Sequence, residues 1–79
     1  MEKEKFDYTR LKVKIFEKFG SQKAFAERLG ISPAVLSLKL SGRNYFSQRQ
    51  IYQAIDALGL SFDDIHAYFF TTSVEKIEP

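Results

Sequence analysis

Side chains that could carry catalytic chemistry are few in this sequence, and they do not combine into a catalytic arrangement. The chain has one histidine, His66, preceded by two adjacent carboxylates, Asp63 and Asp64. A lone histidine is more often a surface residue than a catalyst, and acids in a first helical turn favour the helix dipole. No Ser/His/Asp set, glycine-rich phosphate loop or metal-ligand spacing is visible. We expect no enzymatic activity, no metal and no cofactor.

The size and composition of the chain also limit its class. Its 79 residues include no cysteine, so neither a disulfide framework nor a thiolate metal site can form. No apolar run reaches the length that spans a bilayer, and the N-terminal stretch MEKEKFDY lacks the apolar segment of a signal peptide. We expect a single cytoplasmic domain over residues 1–79, with a small core and no contact with membranes.

The side chains that could recognise another molecule are the basic ones, and they are unevenly distributed. The net charge of +2 divides into +2 for residues 1–20, +4 for residues 21–49 and −4 for residues 50–79. A chain with this distribution presents its basic segment to an anion and keeps its acidic segment away. Residues 21–49 are therefore the candidate contact with nucleic acid, although an uneven solvated surface gives the same pattern.

The elements that would position these side chains are five helices, each with a recognisable start. A serine or an aspartate stands at each cap, and most caps follow an apolar residue that packs four positions into the helix. A glycine that can adopt a left-handed conformation follows four of the apolar runs. The pattern predicts an all-α fold with helices near residues 8–19, 22–29, 33–41, 48–58 and 62–70.

Apolar residues recur with helical spacing in these segments, which predicts the core. Leu36 and Leu40, four positions apart, are an example. Residues 71–79 are polar and have no evident partner. We therefore expect an ordered core from residue 7 to residue 70, followed by a frayed tail.

Residues 22–41 match the helix-turn-helix pattern. Ala26 is small where two helices must cross closely, and Gly30 supplies the turn. Leu36 is apolar where the second helix meets the core. With one helix before and two after, residues 8–70 resemble the lambda-repressor-like helix-turn-helix family. The stretches FAERLGIS, LSLKLSG and FSQRQIYQAI are similar, more narrowly, to phage and prophage regulators of the Cro or repressor type in Gram-positive hosts.

The resemblance implies that helix 33–41 lies in the major groove of a double-stranded DNA operator. Bidentate base readers are absent from this helix, so it would read shape and thymine methyl groups. Affinity would come from phosphate contacts at two helix N-termini and in the loop after the recognition helix. The predicted DNA face comprises Gln22, Lys23, Pro33, Ala34, Ser37, Leu38, Lys39, Ser41, Arg43, Asn44, Gln48 and Arg49.

Two parts of this face have a second interpretation. Gln48 and Arg49 are equally well explained as ordinary first-turn surface residues. Lys39 stands where the family usually has an apolar side chain. Either its stem lies along the edge of the core with the ammonium in water, or the helix rolls so that Leu40 packs instead.

Two functions of different classes fit these residues. The first is a sequence-specific DNA-binding transcriptional regulator. The second is a helix-turn-helix module that binds protein and acts on another repressor or on RNA polymerase, because a fold does not fix a function. A steep loss of affinity for random duplex DNA with added salt would favour the first, and no binding at low salt would favour the second.

A homodimer is predicted from the last helix. One recognition helix covers only a few base pairs, and the family usually places two of them one DNA turn apart in a two-fold dimer. The last helix is acidic enough to avoid DNA, and the spacing of Ile65 and Phe69 turns these residues to the core. We therefore predict a weak homodimer through Tyr68 and Phe70, unless these aromatics are needed to fill the small core.

Overall fold

The computed structural model describes residues 6–72, which form a bundle of five α-helices. Within these residues no strand forms, and the only β-type pairing is an isolated bridge between Phe6 and Thr72. The predicted all-α class is confirmed. The helices are α1 (Thr9–Phe19), α2 (Gln22–Leu29), α3 (Pro33–Leu40), α4 (Gln48–Leu58) and α5 (Ile65–Phe69), and a 3-10 turn over Phe62–Asp64 precedes α5.

Serine caps start α2, α3 and α4, as the sequence predicts. The hydroxyls of Ser21, Ser32 and Ser47 each accept a hydrogen bond of 3.1 Å from the backbone N–H three positions later. At α4 the side-chain oxygen of Gln50 also accepts from the Ser47 N–H at 2.9 Å, which completes a capping box. These bonds satisfy N–H groups that have no partner inside the helix, so local sequence determines where the three helices begin.

The turn between α2 and α3 depends on Gly30. Its φ is 76°, a left-handed conformation that strains other residues, although a Cβ there would meet nothing within 4 Å. The Gly30 N–H donates to the Glu27 carbonyl at 3.1 Å. The Ile31 N–H donates to the Ala26 carbonyl at 3.0 Å, which ends α2 and redirects the chain.

The buried apolar residues come from all five helices and from the segments before α1 and α4. They are Tyr8, Leu11, Ile15, Phe25, Ala26, Leu29, Leu36, Leu40, Phe46, Ala54, Ile55, Leu58 and Phe69. Ile51 and Ile65, which helical spacing assigns to the core side, are only partly buried against this cluster. They therefore contribute to the surface as well.

Two aromatic residues outside the helices complete the core. Phe46 and Tyr8 meet edge to face with ring centroids 5.4 Å apart. Phe46 makes a similar contact with Phe69 of α5 at 5.5 Å. Such pairs contribute about 0.5–1.5 kcal/mol beyond their burial, so these rings hold the start of α1 and the α3–α4 loop against α5.

The last helix differs from the continuous segment 62–70 that the sequence predicts. The Asp64 carboxylate accepts hydrogen bonds from both the Ser61 N–H and the Ser61 hydroxyl at 3.2 Å. The Asp64 N–H in turn donates to the Ser61 carbonyl at 3.0 Å. This local pairing tightens the first turn to 3-10 geometry, and Phe62 in that turn is left 64% exposed.

The two ends of the described chain pair with each other. Thr72 bridges Phe6, and the Asp7 N–H donates to the Thr71 carbonyl at 2.6 Å. The first two residues of the predicted tail are therefore paired, and residues 73–79 lie outside the described residues. At the other end α1 begins at Thr9 rather than residue 8, with Oδ1 of Asp7 accepting from the Thr9 N–H at 2.9 Å.

Candidate interaction surfaces

α3 buries one side and exposes the other. Leu36 is fully buried and Leu40 is 4% exposed, which fixes the rotation of α3 about its axis. Leu38 is 40% exposed and Val35 is 38% exposed. The outward side of α3 is therefore small or apolar as predicted, and it includes Val35, which the sequence analysis did not select.

The predicted DNA face is an exposed surface carried by three helices and one loop. Eleven of its twelve residues are exposed, and Lys39 is half-buried. They lie at the start of α2, on the outward side of α3, in the α3–α4 loop and at the start of α4. Because α2 packs against both α3 and α4, these segments belong to one packed unit.

Lys39 is held by the loop that follows α3. Its ammonium donates a hydrogen bond to the Tyr45 carbonyl at 2.9 Å and lies 5.9 Å from the centroid of the Phe46 ring. Leu40 takes the neighbouring core position. The ammonium therefore ties the loop to α3 by a charge-assisted bond, and this bond competes with a contact to phosphate.

Hydrogen bonds at the end of α3 also fix the backbone position of Arg43. The N–H groups of Arg43 and Asn44 both donate to the Leu38 carbonyl, at 3.1 and 3.4 Å. The Ser41 hydroxyl donates to the same carbonyl at 2.8 Å. The loop is thus closed against α3, and the Ser41 hydroxyl is engaged locally, while Ser37 and Arg43 extend from exposed positions.

A second surface is apolar and adjoins the first at the α3–α4 loop and the start of α4. Two adjacent surface pockets of about 260 and 270 Å³ share Ile51 and Phe70, and the pair is here named the aromatic trough. It is lined by Phe6, Tyr8, Tyr45, Phe46, Gln48, Ile51, Tyr52, Ile55, Phe62, Ile65, Phe69 and Phe70.

Aromatic rings in this trough are exposed and held in place by one another. Tyr52 of α4 and Phe62 of the 3-10 turn are 63% and 64% exposed and stack with ring centroids 6.0 Å apart. Phe70 is 40% exposed and meets Phe6 edge to face at 5.5 Å. These rings therefore form an exposed apolar surface that their mutual contacts hold in place.

The end of the trough formed by residues 50–72 is acidic. Residues 50–72 contain Asp56, Asp63 and Asp64 and no lysine or arginine, a net charge of −3 with His66 neutral. Asp56 pairs with Arg28 of α2 at 3.7 Å, but the two side chains are 76% and 49% exposed, so water screens this pair. This end therefore favours a basic partner and repels DNA, whereas the Lys39 ammonium lies against Tyr45 and Phe46 at the other end.

One wall of the trough contains a buried phenol. Burial, with a smaller contribution from the nearby Tyr45, raises the pKa of the Tyr8 hydroxyl above its ordinary value of 10.0. The hydroxyl therefore stays protonated at neutral pH. This wall adds no negative charge to the trough.

The two residues predicted for a homodimer occupy different environments. Tyr68 is partly buried and packs against the core, whereas Phe70 is exposed in the trough. Tyr52 and Phe62, the most exposed rings of the trough, were not selected from the sequence. They stand ten residues apart, and only the packing of the 3-10 turn against α4 brings them together.

Residues 6–72 contain no group of three or more His, Asp or Glu side chains that could hold a metal ion. In the same residues no helix is long and apolar enough to cross a membrane. The predicted DNA face and the aromatic trough are the two candidate interaction surfaces within these residues.

Comparison with protein families identifies the relatives. A family model described as "Protein of unknown function (DUF739)" matches residues 4–72. The chain belongs to this family. No curated protein matches the chain.

The solved structure of a protein with a stated role is similar to this DUF739 chain. It is the solution structure of the modulator of repression (MOR) of the temperate bacteriophage TP901-1 from Lactococcus lactis. The chains are 39% identical with a TM-score of 0.73, and the match covers 84% of this chain and 89% of MOR. The predicted resemblance to phage regulatory proteins is confirmed at this level.

Proposed function

We propose that this DUF739 protein modulates repression in the bacterial cytoplasm by binding a repressor protein through the aromatic trough. Its relative from phage TP901-1 is a modulator of repression, and a modulator can act by contact with the repressor that it modulates. The observation that carries the proposal is the trough itself, a pair of adjacent apolar depressions with exposed aromatic rings.

The trough has the composition of a protein-binding site. Tyr52 and Phe62 are mostly exposed, and fully burying such a ring contributes about 1.5–3 kcal/mol. Aromatic residues dominate the binding energy of protein interfaces because they desolvate a large area with few rotatable bonds. The two rings already stack on each other, so a partner does not have to order them.

α3 has the opposite character. It lacks the arginine, asparagine and glutamine side chains that make bidentate contacts with bases. Lys39 and Ser41 at its end are engaged by the Tyr45 and Leu38 carbonyls. α3 therefore has few side chains that could discriminate between DNA sequences by direct contacts with bases.

The test measures binding to a phage-type repressor encoded in the same genome, beginning with a neighbouring gene where there is one. Calorimetric titration would compare the wild type with Tyr52→Ser/Phe62→Ser, and with Val35→Ser/Leu38→Ser as the matched control on α3. We expect the trough variant to bind at least about 30-fold more weakly, because each ring is a hot-spot residue type. The control should stay within about twofold.

Two outcomes would contradict the proposal. Equal losses for both variants would remove the trough from the interface. A wild-type protein that does not bind the repressor, and is captured instead by RNA polymerase, would assign the protein to a different partner.

A second candidate function is sequence-specific DNA binding by a lambda-repressor-like helix-turn-helix at α2 and α3. It is favoured by Lys23, Arg43 and Arg49, which are exposed around α3, where they could neutralise phosphates. The acidic end of the trough would then face away from DNA.

This function is tested by fluorescence anisotropy with random and operator duplexes at increasing salt. DNA binding predicts a steep linear fall of log affinity with log salt concentration, because neutralised phosphates release counterions. Absence of binding at low salt would leave only the protein-binding function.

A further inference from the structure

A second exposed apolar site lies on α1, away from the trough. Val13 is 53% exposed and Phe16 is 69% exposed. They stand three positions apart in one helix, so both project from the same side. The opposite side of α1 carries Leu11 and Ile15, which are fully buried, so α1 is apolar on two sides and no element within residues 6–72 covers its outward side.

The charges of α1 and of the trough region are opposite. α1 carries Arg10, Lys12, Lys14 and Lys18 against Glu17, a net charge of +3. Residues 50–72, which provide most of the exposed trough, carry a net charge of −3. Within α1, Lys14 and Glu17 pair at 3.7 Å, which places Glu17 beside a cation and leaves the helix basic.

We propose that α1 of one copy docks in the aromatic trough of a second copy, with Val13 and Phe16 against Tyr52 and Phe62. An amphipathic helix that lays an apolar pair into a hydrophobic groove is a general mode of protein recognition. The basic residues that flank the pair then meet the acidic residues beside the trough, which orients the helix and speeds association.

The charges also disfavour the simplest alternative, a symmetric dimer that joins two troughs. In that arrangement two surfaces of net charge −3 would face each other and repel. The α1-to-trough contact is heterologous, because each copy contributes a different surface. An assembly built from such contacts has an unoccupied α1 at one end and an unoccupied trough at the other. It therefore adds further copies as the protein concentration rises.

Self-association of this kind has a regulatory consequence, which rests on the function proposed for the trough. An occupied trough cannot bind the repressor, so the repressor and a second copy compete for one surface. Each assembly keeps only one free trough, so the fraction of troughs that can bind the repressor falls as the total concentration rises.

The heterologous contact is tested by sedimentation equilibrium with Phe16→Ser, Phe62→Ser and the control Val35→Ser. All three positions are exposed, so the substitutions do not hollow the core. We expect the wild type and Val35→Ser to exceed the mass of a dimer at high concentration, and to dissociate in high salt. Phe16→Ser and Phe62→Ser alone should associate at least about tenfold more weakly.

The decisive sample is an equimolar mixture of Phe16→Ser and Phe62→Ser. One variant retains an intact trough and the other an intact α1, so the mixture should form a dimer of one copy of each and nothing larger. A mixture that remains monomeric would overturn the proposal, as would a wild type that stays monomeric or a symmetric dimer that Phe16→Ser leaves intact.

The two proposals fail separately. Phe16→Ser keeps the trough and should bind the repressor at least as tightly as the wild type does. A monomeric wild type that binds the repressor would overturn self-association alone. Assembly in the absence of any repressor binding would overturn the proposed function alone.

Discussion

The predicted DNA face and the aromatic trough place large side chains in opposite ways. On α3, Leu36 and Leu40 turn into the core and smaller groups such as Ser37 face outward. In the trough, Tyr52 and Phe62 face outward and stack on each other. A surface of small groups flanked by cations allows DNA to approach closely and supplies charge for its phosphates. Aromatic rings held in fixed positions instead supply apolar area that a protein partner can bury.

The two surfaces also differ in charge and in their origin along the chain. The predicted DNA face comes from residues 22–49, within the stretch of net charge +4. The trough combines the start of the described chain, at Phe6, with residues up to Phe70. The two surfaces adjoin at Gln48, which belongs to both. Apart from this junction, DNA and protein partners would contact different residues, and four predictions test the packing and the contacts on which this difference depends.

The largest effect is expected at the anchor of α3. Leu36→Ala should lower the free energy of unfolding by about 2–5 kcal/mol, because Leu36 is fully buried. Leu38→Ala is the matched control, since Leu38 is 40% exposed. It should lower the free energy of unfolding by only about 0.5 kcal/mol. Urea denaturation measures both. Equal losses would mean that α3 is rotated differently and presents other residues.

Lys39 and Arg43 should separate stability from DNA contact. Lys39→Met removes the bond to the Tyr45 carbonyl and should lower stability by about 1 kcal/mol. Arg43→Ala should leave stability unchanged and reduce the salt slope of DNA binding by about one unit. Denaturation and anisotropy at several salt concentrations measure the two quantities. A reduced slope for Lys39→Met would place its ammonium on DNA, as the sequence analysis expected.

Ser37 should affect preference among DNA sequences more than affinity for random DNA. Its side chain lies on the exposed side of α3, and a hydroxyl can bond to either a donor or an acceptor base edge. Ser41→Ala is the control, because the Ser41 hydroxyl donates to the Leu38 carbonyl. Competition among operator variants measures the preference. The assignment fails if Ser37→Ala weakens binding to all sequences alike.

Tyr8 should make stability depend on pH in the alkaline range. Because the pKa of Tyr8 is raised in the folded protein, its contribution to stability is complete below the ordinary value of 10.0. The contribution falls as pH rises through the folded pKa, since the unfolded chain loses the proton first. Denaturation at several pH values should show this component in the wild type and in Tyr52→Phe, but not in Tyr8→Phe. An identical pH dependence in Tyr8→Phe would contradict it.

Most of the helices could be predicted because their signals are local. The serine caps at Ser21, Ser32 and Ser47 act on an N–H three residues away, and Gly30 ends α2 by its own φ of 76°. The break before α5 was missed because the Asp64 carboxylate binds both polar hydrogens of Ser61. A capping signal read from sequence does not distinguish an α-helical first turn from a tighter one.

The exposure of the residues in the predicted DNA face could largely be predicted, because helical periodicity separates inward from outward positions. Periodicity could not tell what an outward polar group bonds. Whether Lys39 reaches phosphate or the Tyr45 carbonyl depends on the path of the loop after α3. That path is closed by two N–H groups on the Leu38 carbonyl.

Local sequence accounts for the helical class, the serine-capped helix starts and the glycine turn, since each depends on residues a few positions apart, and composition alone accounts for the charge asymmetry. Only the tertiary structure decided which aromatic rings would fill the core and which would form the trough. Tyr68 is partly buried against the core while Phe70 is 40% exposed, although the sequence predicts an exposed contact for both. The reason is physical: burial of a ring depends on which distant elements cover it, and that information is not contained in the ring or its neighbours.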